Sequence, residues 1–197
     1  MNRAAVALLL ALAPVAAPAA PPRADPAPKV ALVTSAGTIV VALEPQRAPI
    51  TTANFLRYVD AHKLDGTTFY RAARAKSDPK RGLIQGGIDH NIRNSFFPIA
   101  HEPTSKTGLH HEDGTISMAR NDVGTAMGDF FICVGPARTL DAAPGYPGYA
   151  AFGHVARGMD VARRILAEPT YPGGLSIETF GQTIKRRVTI ISARRTN

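Results

Sequence analysis

Two short segments hold the residue types that could do chemistry: Asp65–Arg71 (D-G-T-T-F-Y-R) and Leu83–Gly87 (L-I-Q-G-G). The first alternates polar and apolar positions and ends on Arg71, a cation with several donors. The second sets an amide, Gln85, ahead of a double glycine. A third stretch, Gly114–Val134, reads G-T-I-S-M-A-R and then G-D-F-F-I-C-V, and places Met118, Phe130 and Phe131 on strand-like runs. Together they describe an apolar pocket with a cation and an amide at its rim. No nucleophile is paired with a base, and no set of residues has metal-ligand spacing. Cys133 lies inside an apolar run and reads as a buried, protonated thiol. His110-His111-Glu112-Asp113 reads as a polar loop, because adjacent side chains rarely point at one ion. Gly86-Gly87 and Ser35-Ala36-Gly37-Thr38 are turns and do not match a phosphate-binding loop. What remains suits a reaction in which no covalent bond is broken.

The elements that must position these residues are mostly strands. Lys29–Thr34 and Thr38–Leu43 are rich in Val and Ile and flank Ser35-Ala36-Gly37, which predicts a hairpin. Ala48-Pro49 opens a helix, since proline is tolerated in a first turn, and Ala53, Phe55, Leu56 and Val59 form its apolar stripe. Further strands are predicted at Thr67–Arg71, Ile84–Ile88, Thr115–Ala119, Phe130–Val134, Ala151–Val155 and Val188–Ser192, with a second helix at Met159–Leu166. Short strands with Gly and Pro punctuation, and no strand-helix-strand alternation, argue for an all-β barrel or a sandwich.

Seven blocks in order, from about Lys29 to Ala193, resemble the cyclophilin family of peptidyl-prolyl cis-trans isomerases. They are T-S-A-G-T-I-V-V-A-L (34–43), A-P-I-T-T-A-N-F (48–55), D-G-T-T-F-Y-R, I-Q-G-G (84–87), G-T-I-S-M-A-R (114–120), F-F-I-C-V (130–134) and A-F-G-H-V (151–155). The resemblance implies a mainly β fold, a closed eight-stranded antiparallel barrel capped by two helices, with the active groove on its outer face. It implies rotation about X–Pro bonds with no cofactor. Arg71 matches the family's catalytic arginine, and Gln85 the glutamine that bonds substrate backbone and holds that arginine. Leu83, Phe131 and Leu140 match the lining of the proline pocket, and the Ala119-Arg120 stretch pairs with extended substrate through its main chain. Asp129 and Tyr149 stand at further substrate-binding positions, where glutamine and histidine are common. Gly82 and Leu83 replace a usual Phe-Met pair, and Thr139 stands where Trp or Phe is usual, which implies weakened cyclosporin binding. Gly82 and Asp129 favour a rival reading: a proline-segment binding module or chaperone with little turnover.

The ends and the composition set the context. Arg3, the apolar run Ala4–Ala13 and the small residues Ala17-Pro18-Ala19 read as a signal peptide over residues 1–19. That run is too short for a stable span, which needs ~20 residues, so no stable membrane insertion is expected once it is removed. Residues 20–28 read as a Pro-rich linker and 29–197 as one isomerase domain. Export to the periplasm, proline-containing polypeptides as substrates and a monomeric state are expected. The net charge of +8 permits anionic partners. Its basic residues are dispersed and not interleaved with stacking aromatics, so no nucleic-acid role is expected. Cys133 is the only cysteine, which excludes an intramolecular disulfide.

Overall fold

The computed structural model describes residues 27–174 and 179–196; the signal-peptide reading lies outside them, as does most of the linker. The elements run β1 (Lys29–Thr34), β2 (Gly37–Leu43), α1 (Pro49–Asp60), β3 (Thr68–Arg74), β4 (Gly82–Gly87), α2 (Thr104–Thr107), β5 (Thr115–Met118), β6 (Phe130–Val134), β7 (Ala150–Arg157), α3 (Met159–Leu166) and β8 (Thr183–Thr196). The strands close into an antiparallel barrel in the order β1-β2-β7-β5-β6-β4-β3-β8. The expected barrel with two principal helices is the fold observed. Strand β8 extends further than Val188–Ser192; its first five residues, Thr183–Arg187, include the charged run Lys185-Arg186-Arg187, which hides the alternation.

Alternation within the strands separates the core from the outer face. Phe130 points into the barrel and meets Phe69 edge-on with ring centroids 5.7 Å apart, while Phe55 of α1 meets the same ring at 5.4 Å. Helix α3 adds Val161, Ala162, Ile165 and Leu166 to the same core. The buried face of α1 keeps Phe55, Leu56 and Val59 of the expected stripe but is wider and leaves out Ala53. Ala53 is exposed, whereas Thr51, Thr52 and Asn54 are buried beside Phe55, Leu56 and Val59. Partners distant in sequence make this possible. The Glu102 carboxylate accepts from Ile50 N at 3.1 Å, Thr51 N at 2.7 Å and Thr51 Oγ1 at 2.6 Å, so it caps the helix from outside and complements its dipole. Asn54 Nδ2 donates to Met127 O at 2.6 Å.

Two irregularities shape the face that matters. Strands β3 and β4 pair Phe69 with Gly86 but Arg71 with Gln85, so Tyr70 is an extra residue in a β-bulge. Strict alternation would send Tyr70 and Arg71 to opposite faces; the bulge lets both reach the outer one. At the start of β4, Gly82 has φ +148°, and a Cβ there would stand 2.0 Å from Ala73 O. The strand therefore begins on a backbone that only glycine fits.

Candidate active site

Register brings the site together. Across neighbouring strands, Thr183 faces Arg71, Arg71 faces Gln85, Gln85 faces Phe131 and Phe131 faces Ser117. This lateral row crosses β8, β3, β4, β6 and β5, and its outer side lines a cavity of about 390 Å³. Every residue expected at the site borders that cavity: Arg71, Leu83, Gln85, Ala119, Arg120, Asp129, Phe131, Leu140 and Tyr149. Thr139 is exposed and is not among the lining residues.

Arg71 is held from two sides. Its Nη1 donates to Gln85 Oε1 and its Nε to Gln182 Oε1, both at 2.8 Å. Two acceptors on different nitrogens fix the plane of the guanidinium as well as its position. Burial pulls its pKa below the ordinary arginine value, with the nearby Tyr70 and Tyr149 acting the other way. Gln182 was not expected from the sequence; it lies 111 residues from Arg71, and no local pattern marks it. Gln85 is itself buried, and its Nε2 donates to Tyr70 Oη at 2.8 Å.

The apolar part of the cavity is built around Phe131. Tyr149 meets its ring edge-on at 5.5 Å, and His111 stacks with it at 5.8 Å and 14°. His111 corrects the expectation of a polar loop at 110–113. The segment is a loop, but the His111 ring is fully buried. Its Nδ1 donates to Asp141 Oδ1 at 2.6 Å, and its Nε2 accepts from Ser117 Oγ at 3.0 Å. Burial lowers the His111 pKa, against the pull of Asp141, and so favours the neutral ring. Burial opposes the charge on Asp141 too, but hydrogen bonds from His111 and His110 outweigh it and hold its pKa below the ordinary carboxylate value.

The polar end is organised by Asp129. Its Oδ1 accepts from Asp89 N at 2.8 Å and its Oδ2 from His90 N at 3.1 Å. Asp89 and His90 both have positive φ, 52° and 58°, so the carboxylate holds a tight turn at the exit of β4. Just before it, Gly87 has φ +125°, and a Cβ there would lie 2.3 Å from Gly128 O. The Arg120 guanidinium lies over the Tyr149 ring at 5.0 Å and also bonds Gly148 O, so this side chain is tied down beside the groove. Cys133 is buried, and burial pushes its thiol up to about 12, as expected for a structural cysteine.

The profile of the family described as cyclophilin type peptidyl-prolyl cis-trans isomerase/CLD matches residues 29–195. The chain belongs to the cyclophilin family. Peptidyl-prolyl cis-trans isomerase A of Dickeya dadantii is 36% identical over 169 residues, covering 84% of this chain and 85% of the relative. A peptidyl-prolyl cis-trans isomerase of Streptomyces antibioticus is 40% identical over 143 residues, covering 69% of this chain and 81% of the relative. Among solved structures, a cyclophilin type isomerase of Cryptosporidium parvum superposes with a TM-score of 0.68 at 18% identity, covering 87% of this chain and 98% of that one; that likeness speaks for the fold. This cyclophilin is a peptidyl-prolyl cis-trans isomerase. Its cavity also includes residues the sequence did not single out, among them Tyr70, Asp89, His90, Met127 and Arg187.

Proposed function

We propose that this cyclophilin isomerises X–Pro bonds in exported proteins, with Arg71 as the group that stabilises the twisted amide. The barrier to be lowered is ~18–20 kcal/mol, from loss of peptide resonance, while the two end states at proline differ by only ~0.5–1 kcal/mol. In the twisted state the prolyl nitrogen becomes pyramidal and regains a lone pair. A donor aimed at that lone pair favours the twisted state over either planar one. Leu83, Phe131 and Leu140 receive the pyrrolidine ring, Gln85 bonds substrate backbone, and the main chain of Ala119-Arg120 pairs with the extended peptide. The observation that carries this reading is the double clamp on Arg71: Gln85 and Gln182 occupy one donor each and aim the rest of the guanidinium from a fixed plane. A relative from Cryptosporidium parvum has been solved in the presence of the dipeptide Ala-Pro, which supports proline-containing peptides as ligands.

The residues given contact with substrate all border one groove of one chain, so one copy suffices for this mechanism. Placement in the periplasm and assistance to protein folding rest on the basic, apolar and small-residue order of the first 19 residues. Exchange spectroscopy on a short X–Pro peptide tests the mechanism. A folded Arg71→Ala protein should lose roughly 10²–10³ in kcat/KM, the scale of removing one transition-state donor; near wild-type turnover would sink the assignment. Mass spectrometry of the exported protein tests the placement, and an intact Met1 in soluble exported material would refute it.

A further inference from the structure

The hydrogen bonds behind Arg71 have only one self-consistent direction. Arg71 can only donate, so the atom of Gln85 facing its Nη1 must be the carbonyl oxygen, at 2.8 Å. The amide nitrogen of Gln85 then faces Tyr70 Oη, at 2.8 Å, and can only donate to it. Tyr70 Oη thereby accepts, and its own proton has to go elsewhere. Beside burial, the negative charge of Asp129 raises the Tyr70 pKa, and both residues border the same cavity, so a carboxylate lies close to that proton. A carboxylate accepts without donating, and Asp129 already accepts from the backbone N–H groups of Asp89 and His90. That grip holds its oxygens in place. The hydrogen bonds therefore fix the direction from Tyr70 through Gln85 to Arg71, with the turn-bound carboxylate of Asp129 beside Tyr70.

We propose that Tyr70 is a positioning residue for catalysis, with the Asp129 carboxylate as the acceptor of its proton: together they lock the Gln85 amide in the one orientation that presents its oxygen to Arg71. This rests on the role given to Arg71 above and extends it inward by two residues. Tyr70 reaches Gln85 because the β-bulge turns it to the outer face. Asp129 gains this role beside the substrate contact expected of it, since its two oxygens are already oriented by Asp89 N and His90 N. Both residues are buried, so the lock is held away from competing water. Without it, rotation of the Gln85 amide by half a turn would set its NH₂ group against the guanidinium, donor against donor.

A double-mutant cycle tests the lock. Tyr70→Phe removes a single oxygen and keeps the ring that walls the groove. It should lower kcat/KM for X–Pro exchange about tenfold, with the loss in kcat, as expected when a supporting partner is lost and a reacting group shifts. In a Gln85→Ala background the same change should cost less than twofold, because no amide is left to orient. The Gln85 side-chain amide resonances should shift or broaden in Tyr70→Phe, and also in Asp129→Asn, which cannot accept from all its present donors at once. Equal losses in both backgrounds would make Tyr70 a wall of the groove and overturn the proposal. So would Gln85 resonances that stay in place in folded Tyr70→Phe. The resonances do not depend on turnover, so the lock stands or falls on them even if Arg71→Ala proved active.

Discussion

Replacing Arg71 with lysine separates charge from geometry. Both side chains are cations, but the guanidinium meets Gln85 and Gln182 through two different nitrogens, each at 2.8 Å, and still lines the cavity with the rest of its plane. A lysine has a single nitrogen with three donors. To reach both glutamines it must sit between them, which turns it away from the substrate; to reach the substrate it must leave at least one glutamine. Either way one hydrogen bond to a charged group is lost in the transition state, worth roughly 1.5–3 kcal/mol, which converts to roughly 10- to 150-fold in rate. The loss should appear in kcat, because the apolar surface of Leu83, Phe131 and Leu140 that binds the ring is untouched. Exchange spectroscopy at saturating and subsaturating peptide gives kcat and KM separately, and circular dichroism confirms folding. Activity within twofold of wild type would show that a positive charge near the proline suffices, and would refute the argument from the two-point clamp.

Two further outcomes are expected from the same structure. Above the ordinary histidine pKa of 6.5 the His111 ring is neutral in folded and unfolded chains alike; below it the unfolded chain takes up a proton that the buried ring resists, so stability should fall as pH drops from about 6.5, by at most ~1.4 kcal/mol per pH unit from this group. Asp141 pairs with the ring, and His110 and Arg138 pair with Asp141 in turn, so urea unfolding of wild type against His111→Gln isolates its share, and an identical slope in both proteins would count against it. Gly82→Ala should destabilise by roughly 1–3 kcal/mol, given φ +148° and a Cβ contact of 2.0 Å with Ala73 O; a change below about 0.5 kcal/mol in urea unfolding would mean that β4 begins on a different backbone.

Much of this could be read from the chain because local rules and tertiary demands agree. The Val- and Ile-rich runs became β1 and β2 with their two-residue turn, and Phe130 and Phe131 separate core from groove by alternation alone. The barrel itself came from resemblance, since short punctuated strands fit a sandwich equally well. The failures share a cause. Ala53 was expected inside and Thr51 was not, because nothing near them announces Glu102, which satisfies the buried threonine from 51 residues away. His111 looked like a loop residue because its partners Asp141 and Ser117 are supplied by the fold. Tyr70 was passed over because a bulge, which breaks the period of two, is invisible in the spelling F-Y-R. Gln182 has no signature, because only barrel closure brings β8 beside β3.

That closure has a consequence for how the protein comes into being. Strand β8 joins β1 on one side and β3 on the other, and its pairing with β1 sets Lys29 opposite Thr196, the two extremes of the folded domain. In a chain made from its N-terminus, the stave that seals the barrel is the last to arrive. Until then β1 and β3 present open edges, the state in which strands pair with the wrong neighbours, and contacts this far apart in sequence are slow to form. Gln182, at the threshold of the same last strand, arrives with it. The clamp on Arg71 and the seal of the barrel are thus completed in one event, so a half-emerged chain is both unsealed and catalytically unaimed.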